Sequence, residues 1–316
     1  MDPIGDSTSR EIENNLPEIV LLNPKAGSET PSRGAATWKT LVPVNHKVLS
    51  GNGPAETEKL AAQAAADHVP RLIIVGGDGT LHHALNGILS VPHTTTRLAI
   101  IPNGTANDYA ASLQHHALNH PNSGHPNSQA RVDVGMIKYD GFQRYFINVA
   151  GIGLTAHAAL SSRPSPWLPA RLRYTLGLMR TLVFGWRPTD TSIQLLGQSL
   201  HEPQLLTLSV AIGSREGSFT LAPTARLDDG QFNILIASNL RRIDVLRYLP
   251  GLMIGKLPRA DTRIQYLLAP HLQFRSSTPL HLHLDGETYN DGTLPTGCDI
   301  TITNATQIDI ELLKPR

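Results

Sequence analysis

Apolar positions along this chain follow two rhythms, and the change between them divides it. In the first third, short aliphatic runs alternate with longer stretches of helical period. Residues 18–22, 71–75 and 97–101 are such runs and read as buried strands, and residues 46–49 read as a second strand between the first two. Residues 54–68 are alanine-rich, with Pro54 at the start and Glu56 and Glu58 in the first turn, where a helix favours proline and acids. Residues 80–89 place Leu81, Ala84, Leu85 and Ile88 on one helix face at i, i+3, i+4, i+7 spacing. Strands alternating with helices predict a parallel sheet with helices on both faces. The loops at the carboxyl ends of its strands should share one crevice.

After about residue 112 the pattern changes. Residues 114–129 are rich in His, Asn, Pro and Ser and read as an exposed connection. From Arg131 onward β-type runs dominate, at 132–137, 144–149, 205–212, 231–237, 280–284, 299–303 and 307–312, interrupted by helical stretches at 169–183 and 242–254. Strands in series with polar turns predict a mainly antiparallel β-sandwich. The expected organisation is a flexible N-terminus over 1–17, an α/β nucleotide-binding domain over 18–130 and a β-sandwich substrate domain over 131–316, whose last strand segment packs back toward the first domain.

Composition narrows the function classes. With 40% apolar and 17% charged residues, 316 residues can bury a substantial core. Lys+Arg 27 against Asp+Glu 26 leaves a net charge of +1, so no bulk electrostatic force favours nucleic acid, and any attraction to a membrane has to be local. The single cysteine, Cys298, excludes an intramolecular disulfide and a cysteine-rich zinc site. Residues 1–17 lack the apolar core of a signal peptide. No run approaches the roughly 18–20 apolar residues of a spanning helix. These features predict a cytoplasmic protein, at most peripheral at the inner face of a membrane. Histidine pairs at His82-His83 and His115-His116 invite a metal reading, but neighbours on a helix point about 100° apart, and no ligand is assigned there.

Candidate chemistry sits at the strand ends. The run 72–75 stops in Gly76-Gly77-Asp78-Gly79-Thr80-Leu81, a glycine turn before a helix N-terminus, which aims backbone donors and a positive dipole end at one spot. A carboxylate there repels phosphate unless a divalent cation lies between them, so the turn suits a Mg²⁺-nucleotide better than bare phosphate. Taken alone, the same string is also a tight βα turn with a capping Asp. Asn23-Pro24-Lys25-Ala26-Gly27-Ser28 and Pro102-Asn103-Gly104-Thr105-Ala106-Asn107-Asp108 occupy the matching position after two other strands.

These three strings, followed by Leu227-Asp228-Asp229-Gly230 and Leu284-Asp285-Gly286-Glu287, occur in an order that resembles the diacylglycerol kinase catalytic family. The likeness covers residues 18–313 and is closest to the family's soluble bacterial lipid-kinase branch, related to sphingosine and ceramide kinases. It implies ATP as co-substrate, held by Asn23, Pro24, Lys25, Ala26, Gly27 and Ser28 and by Gly76, Gly77, Asp78, Gly79, Thr80 and Leu81, with Asn103, Gly104 and Thr105 beside the nucleotide. Ser50 stands near where the family often has a threonine and is assigned its hydroxyl role. Asp78, Asp108 and Asp133 match carboxylates of a metal-and-water network around the phosphates. Glu287 falls in the general-base position, with Asp285 close to it and Asp78 completing the catalytic set. The resemblance also implies a structural Mg²⁺ held by the Asp229 carboxylate and the carbonyls of Arg226 and Gln231, an oxygen-only set that suits a hard cation.

The expected activity is an ATP-dependent, Mg²⁺-requiring lipid kinase that transfers the γ-phosphoryl group to a hydroxyl of diacylglycerol or a related lipid at a membrane surface; a homodimer is admissible. Phosphoryl transfer to an alcohol needs an oriented hydroxyl and a proton acceptor, which gives Glu287 its sense; without the resemblance, 284–287 is simply a hairpin turn. For the membrane, residues 163–187 carry Trp167, Phe184 and Trp186 with arginines at 163, 171, 173, 180 and 187. That composition suits an interfacial surface or a helix on the sandwich with snorkelling arginines. A weaker candidate runs over 240–257. A soluble kinase of the NAD kinase type is disfavoured by the 23–27 and 284–287 motifs, and an inactive nucleotide- or lipid-binding regulator by retention of Asp78, Asp108, Asp285 and Glu287.

Overall fold

The computed structural model describes residues 18–24, 38–119, 129–162, 170–185, 188–217, 219–256 and 258–313. Strands β1 (Glu18–Leu22), β2 (His46–Ser50), β3 (Arg71–Gly76) and β4 (Arg97–Pro102) pair in parallel in the order β2-β1-β3-β4. Successive side chains of a strand point to opposite faces, and both faces are covered here, unequally. Leu72 and Ile74 meet Ala61, Ala64 and Ala65 of α1 (Pro54–Ala66) and Leu81, Ala84, Leu85 and Ile88 of α2 (Asp78–Leu89). Ile73 and Val75 face the other way, toward Trp38 of a 3₁₀ turn (Trp38–Thr40) with Leu41, Val42 and Leu313. Helices α1 and α2 cross closely because residue 87 is glycine: a Cβ there would lie 2.3 Å from the Glu58 carbonyl oxygen.

Next comes α3 (Asp108–Asn119), which extends into the segment expected to be an exposed connection; Leu113 and His116 on it are buried. Of that connection, residues 120–128 lie outside the described residues. The second half then contributes β5 (Gln129–Tyr139), β6 (Phe142–Phe146), β7 (Val149–Gly153), β8 (Thr189–Leu195), β9 (Gln198–Ala211), the short pair β10 (Arg215–Glu216) and β11 (Phe219–Thr220), β12 (Phe232–Ser238), β13 (Ile264–Ala269), β14 (His271–Ser276), β15 (Leu280–Leu284), β16 (Thr293–Leu294) and β17 (Ile300–Leu312). Helices α4 (Leu154–Ser162), α5 (Ala170–Arg180) and α6 (Arg242–Met253) belong to this half, and α5 continues into a π-helical turn over Thr181–Gly185.

Antiparallel pairing runs β13-β12-β9-β7-β15, and β9 is long enough to pair β8 as well, leading through β14 to β17. On β12, Phe232, Ile234 and Ile236 enter the sandwich core, while Leu235 and Ala237 face α4, α5 and α6. The two runs expected at 299–303 and 307–312 are one strand: polar residues interrupt the hydrophobic pattern, but pairing with β5 continues through a register shift between Asn304 and Thr306. Its last residues, Ile310 to Leu312, pair in parallel with β4, so a strand of the sandwich ends inside the nucleotide-type sheet. The run expected at 144–149 is instead divided, β6 ending at Phe146 and β7 starting at Val149.

Candidate active site

The four parallel strands end side by side. Gly51 N–H donates to the Leu22 carbonyl (3.0 Å), Asn23 N–H to that of Val75 (3.2 Å) and Asn103 N–H to that of Gly76 (2.9 Å). Their loops therefore share one edge. Gly77 and Gly104 touch backbone to backbone: a Cβ on Gly104 would lie 2.4 Å from the Gly77 Cα, so that position has no room for a side chain, and one on Gly77 would lie 3.0 Å from the Gly104 Cα, a tight approach. Asn23 Nδ2 donates to Thr80 Oγ1 (3.0 Å), which ties the first loop to the start of α2. Asn23, Gly76, Gly77, Gly79, Thr80, Asn103 and Gly104 are thus brought to the same edge. Ser50 is exposed at the end of β2, whereas the Leu81 side chain points into the core and leaves only its main chain to this edge. Lys25, Ala26, Gly27 and Ser28 lie outside the described residues.

Asp78 caps α3. Its Oδ2 and Oδ1 accept the N–H groups of Asp108 and Tyr109, each at 3.0 Å. Burial and then the charge of Asp108 push its pKa up to about 6, against the pull of those two bonds. Two carboxylates held at one helix start form an oxygen donor set of the kind a hard cation relieves. Among the described residues no group of three His, Cys, Asp or Glu could hold a metal ion, so an ion at Asp78 and Asp108 would complete its shell with phosphate and water, as Mg²⁺ commonly does.

Asp133 does not join that pair. Its oxygens accept Gly230 N–H (2.7 Å) and the Gln307 side-chain amide (2.8 Å), so it braces the 227–230 turn instead. In that turn Asp229 Oδ1 accepts Gln231 N–H (3.0 Å), and burial followed by the Asp133 charge raises its pKa. The Arg226 side chain reaches Asp228 at 3.3 Å, so any ligand from Arg226 would be its carbonyl.

The 284–287 turn closes with Leu284 and Glu287 exchanging both backbone bonds at 2.8 Å. Asp285 (φ 53°) and Gly286 (φ 89°) both have positive φ, the type I′ geometry for which Asp-Gly is suited. Asp285 is expected close to the base as part of the catalytic set, and its buried carboxylate is filled by four donors: Asn148 N–H (2.8 Å) and Val149 N–H (3.0 Å) on Oδ1, Ile147 N–H (3.1 Å) and His82 Nδ1 (2.8 Å) on Oδ2. Its geometry is that of a positioning group. The same bonds explain the break between β6 and β7, since these amides turn to the carboxylate.

Glu287 stands over the start of α2. A Cβ on Gly79 would lie 2.3 Å from its Oε1, so the glycine next to Asp78 makes room for a carboxylate from the other half of the chain. Glu287 is one-third exposed, and its Oε2 is 3.9 Å from His83 Nε2. His83 also bonds Glu58 (2.9 Å), which holds Arg144 at 3.1 Å, and Arg144 lies over the Tyr289 ring. Burial works against the charged imidazolium, yet the nearby Glu287 carboxylate and the bonded Glu58 raise the His83 pKa. His82, fully buried, bridges Asp285 and the Tyr289 hydroxyl. Neither histidine belongs to a motif that places it in the site. The offset that argues against a shared metal is what sends the two rings to different carboxylates.

Over the sheet β13-β12-β9-β7, helices α5 and α6 roof an apolar cavity of about 90 Å³, with Leu178, Leu235, Val245 and Tyr266 among its walls and Thr155, Thr207 and Glu216 also lining it.

Residues 17–136 match the diacylglycerol kinase catalytic domain, and residues 148–305 match the YegS C-terminal NAD kinase beta sandwich-like domain. A diacylglycerol kinase of Staphylococcus saprophyticus is 28% identical over 286 residues, covering 87% of this chain and 84% of that protein. The protein named Probable lipid kinase YegS-like of Chromohalobacter salexigens is 32% identical over 244 residues, covering 72% and 73%. In fold, the crystal structure of a diacylglycerol kinase from Bacillus anthracis superposes with a TM-score of 0.63 at 19% identity, covering 95% of this chain and 97% of that one. With both halves matched in order, the chain belongs to the diacylglycerol kinase catalytic domain family, in the branch that joins this domain to a YegS-type β-sandwich.

Proposed function

We propose that this protein is an ATP-dependent, Mg²⁺-requiring kinase of diacylglycerol or a related lipid alcohol, with residues 18–130 binding ATP and residues 131–316 binding the lipid. The observation that carries this reading is the placement of Glu287 over Gly79: a carboxylate from the sandwich stands at the helix N-terminus where phosphates are favoured. ATP would lie along the edge formed by Asn23, Gly76 to Thr80 and Asn103 to Thr105, with Lys25 to Ser28 and Ser50 flanking it. Asp78 and Asp108 would hold a Mg²⁺, which when bound offsets phosphate charge. Asp229 and the carbonyls of Arg226 and Gln231 would hold a second, structural ion, braced by Asp133. The lipid hydroxyl oxygen forms a bond to the γ-phosphorus as the bond to the ADP oxygen breaks, and its proton passes to Glu287. Asp285 and His82 keep that turn in place.

The cavity orients the lipid. Tyr266, Leu235, Ser209, Gly151 and His283 stand in register across β13, β12, β9, β7 and β15, a row of about 19 Å at ordinary strand spacing. Leu235 and Tyr266 of this row line the cavity, Glu216 and His283 fill its other end, and His283 lies one residue from the 284–287 turn, so an acyl chain would lie at the Leu235–Tyr266 end with the hydroxyl end of the lipid toward that turn. Incubation with γ-labelled ATP and separate samples of diacylglycerol, phosphatidylglycerol, sphingosine, ceramide and NAD should place label in a lipid and none in NAD. No labelled lipid would overturn the proposal.

The roof of the cavity supports docking on a membrane. Leu172, Leu176, Met179 and Val183 are exposed at i, i+4, i+7, i+11, opposite the buried Leu178 and Leu182. Exposed Ile243 stands nearby, where the adjacent Arg242 donates to the Val183 carbonyl (3.3 Å). Exposed Arg180, Arg241, Arg242 and Arg247 flank this stripe, a combination suited to anionic lipid surfaces. Trp167 and Trp186 lie outside the described residues. Replacing Leu176 and Met179 together by Glu should weaken sedimentation with phosphatidylcholine–phosphatidylglycerol vesicles about tenfold or more. Phosphorylation of a short-chain substrate in detergent should be nearly unchanged.

A further inference from the structure

The face of β15 that carries His283 leads from the lipid cavity to the catalytic turn. Glu216, on the short β10–β11 ribbon, is buried and lines the cavity. Its Oε2 accepts the Ser209 hydroxyl (2.7 Å) and its Oε1 accepts His283 Nε2–H (2.9 Å). The other ring nitrogen, Nδ1, accepts the N–H of Gly286 at 3.1 Å. This assigns the tautomer, because an amide can only donate and the carboxylate can only accept. The network crosses β7 where there is no side chain: a Cβ on Gly151 would lie 2.2 Å from His283 Nε2 and 2.6 Å from Glu216 Oε1. Burial opposes ionisation of Glu216, but hydrogen bonds from His283, Ser209 and Thr155 bring its pKa below the usual value, so the anchor stays a carboxylate.

Gly286 N–H is the middle amide of the positive-φ turn, next to Glu287. The Asp285 carboxylate holds the turn from the side of residues 147–149, and His283 holds it from the side of the cavity. We propose that His283 and Glu216 are positioning residues for the phosphoryl-transfer reaction, fixing the Gly286 amide and through it the reach of Glu287 toward the lipid hydroxyl. This rests on the reading of Glu287 as the base. Displacement of a reacting group by about 1 Å can cost on the order of a hundredfold in rate.

The two ring nitrogens can be tested separately. Glutamine in place of His283 can keep a donor near Glu216 but loses the acceptor for Gly286; asparagine can keep the acceptor and loses the donor. His283→Gln should lower kcat about 10- to 100-fold, with KM for ATP unchanged and faster hydrogen exchange at the Gly286 amide. His283→Asn should retain kcat within about fivefold of the parent and keep that amide protected. Ser209→Ala, a milder change on the far side of Glu216, should lower kcat about two- to fivefold with the same KM for ATP, which keeps the test open if a His283 variant does not fold. The opposite order of the histidine variants, or unaltered Gly286 exchange in His283→Gln, would overturn the proposal. Absence of lipid phosphorylation in the parent protein would instead overturn the lipid-kinase reading, and the exchange measurement would still decide the role of His283.

Discussion

Glu287→Gln is expected to lower kcat for lipid phosphorylation by about 10²- to 10⁴-fold, the range a positioned general base supplies, while ATP binding stays within about twofold. Glutamine has the same length and can keep its place above Gly79, where the parent Oε1 lies within 2.3 Å of a would-be Cβ. It cannot take a proton. The assay is single-turnover transfer from labelled ATP, paired with ATP binding by calorimetry so that loss of chemistry is separated from loss of the nucleotide. A second readout is independent of turnover. His83 has its pKa raised by Glu287 and Glu58 acting against burial, so removing the Glu287 charge should bring the His83 titration, followed by NMR, to lower pH. A variant retaining more than about one-fifth of the parent kcat would exclude Glu287 as the base.

What makes Glu287 legible in sequence is its motif, not its surroundings. The parallel strands and their glycine loops are readable because a 3.6-residue period, a four-residue aliphatic run and a glycine turn are local signals. Gly77 and Gly104 could be paired by expecting the loops to share an edge, although the reason for both glycines, their backbone contact, appears only in three dimensions. Asp285 and His82 are 203 residues apart, and no local pattern announces that one fills the other. His82 and His83 are conspicuous as letters, but adjacent histidines suggest a metal before they suggest their actual partners, carboxylates from a hairpin and from α1. Strands β8 and β14 are hard to read because their polar residues alternate with apolar ones at a sheet surface, where the hydrophobic signal is half as dense. Asp133 bonds the 227–230 turn across 97 residues of sequence, a contact that motif order does not reveal.

The largest expected stability effects lie at Asp285. Its carboxylate accepts three backbone N–H groups and His82 inside the protein, and replacing it by alanine leaves all of these donors without their acceptor. At about 1–3 kcal/mol for each buried donor left unpaired, partly relieved by water, Asp285→Ala should lose about 4 kcal/mol or more. Alanine also tolerates the φ of 53° poorly, whereas asparagine visits that region readily. Asp285→Asn can keep Oδ1 for Asn148 and Val149, and His82 can change tautomer to accept the new amide. Ile147 N–H would still face an NH₂ group, so a cost of about 2 kcal/mol is expected. Urea unfolding of the two variants gives these differences directly. Equal stability of Asp285→Ala and the parent would refute the clamp. The contrast with Glu287→Gln separates the two acids of one motif: the first variant should unfold earlier and also lose rate, because the turn that aims the base has loosened, and the second should lose rate at parental stability. If Asp285 instead touched the reacting hydroxyl, its asparagine variant would behave like Glu287→Gln, with a large loss of kcat and a normal unfolding curve.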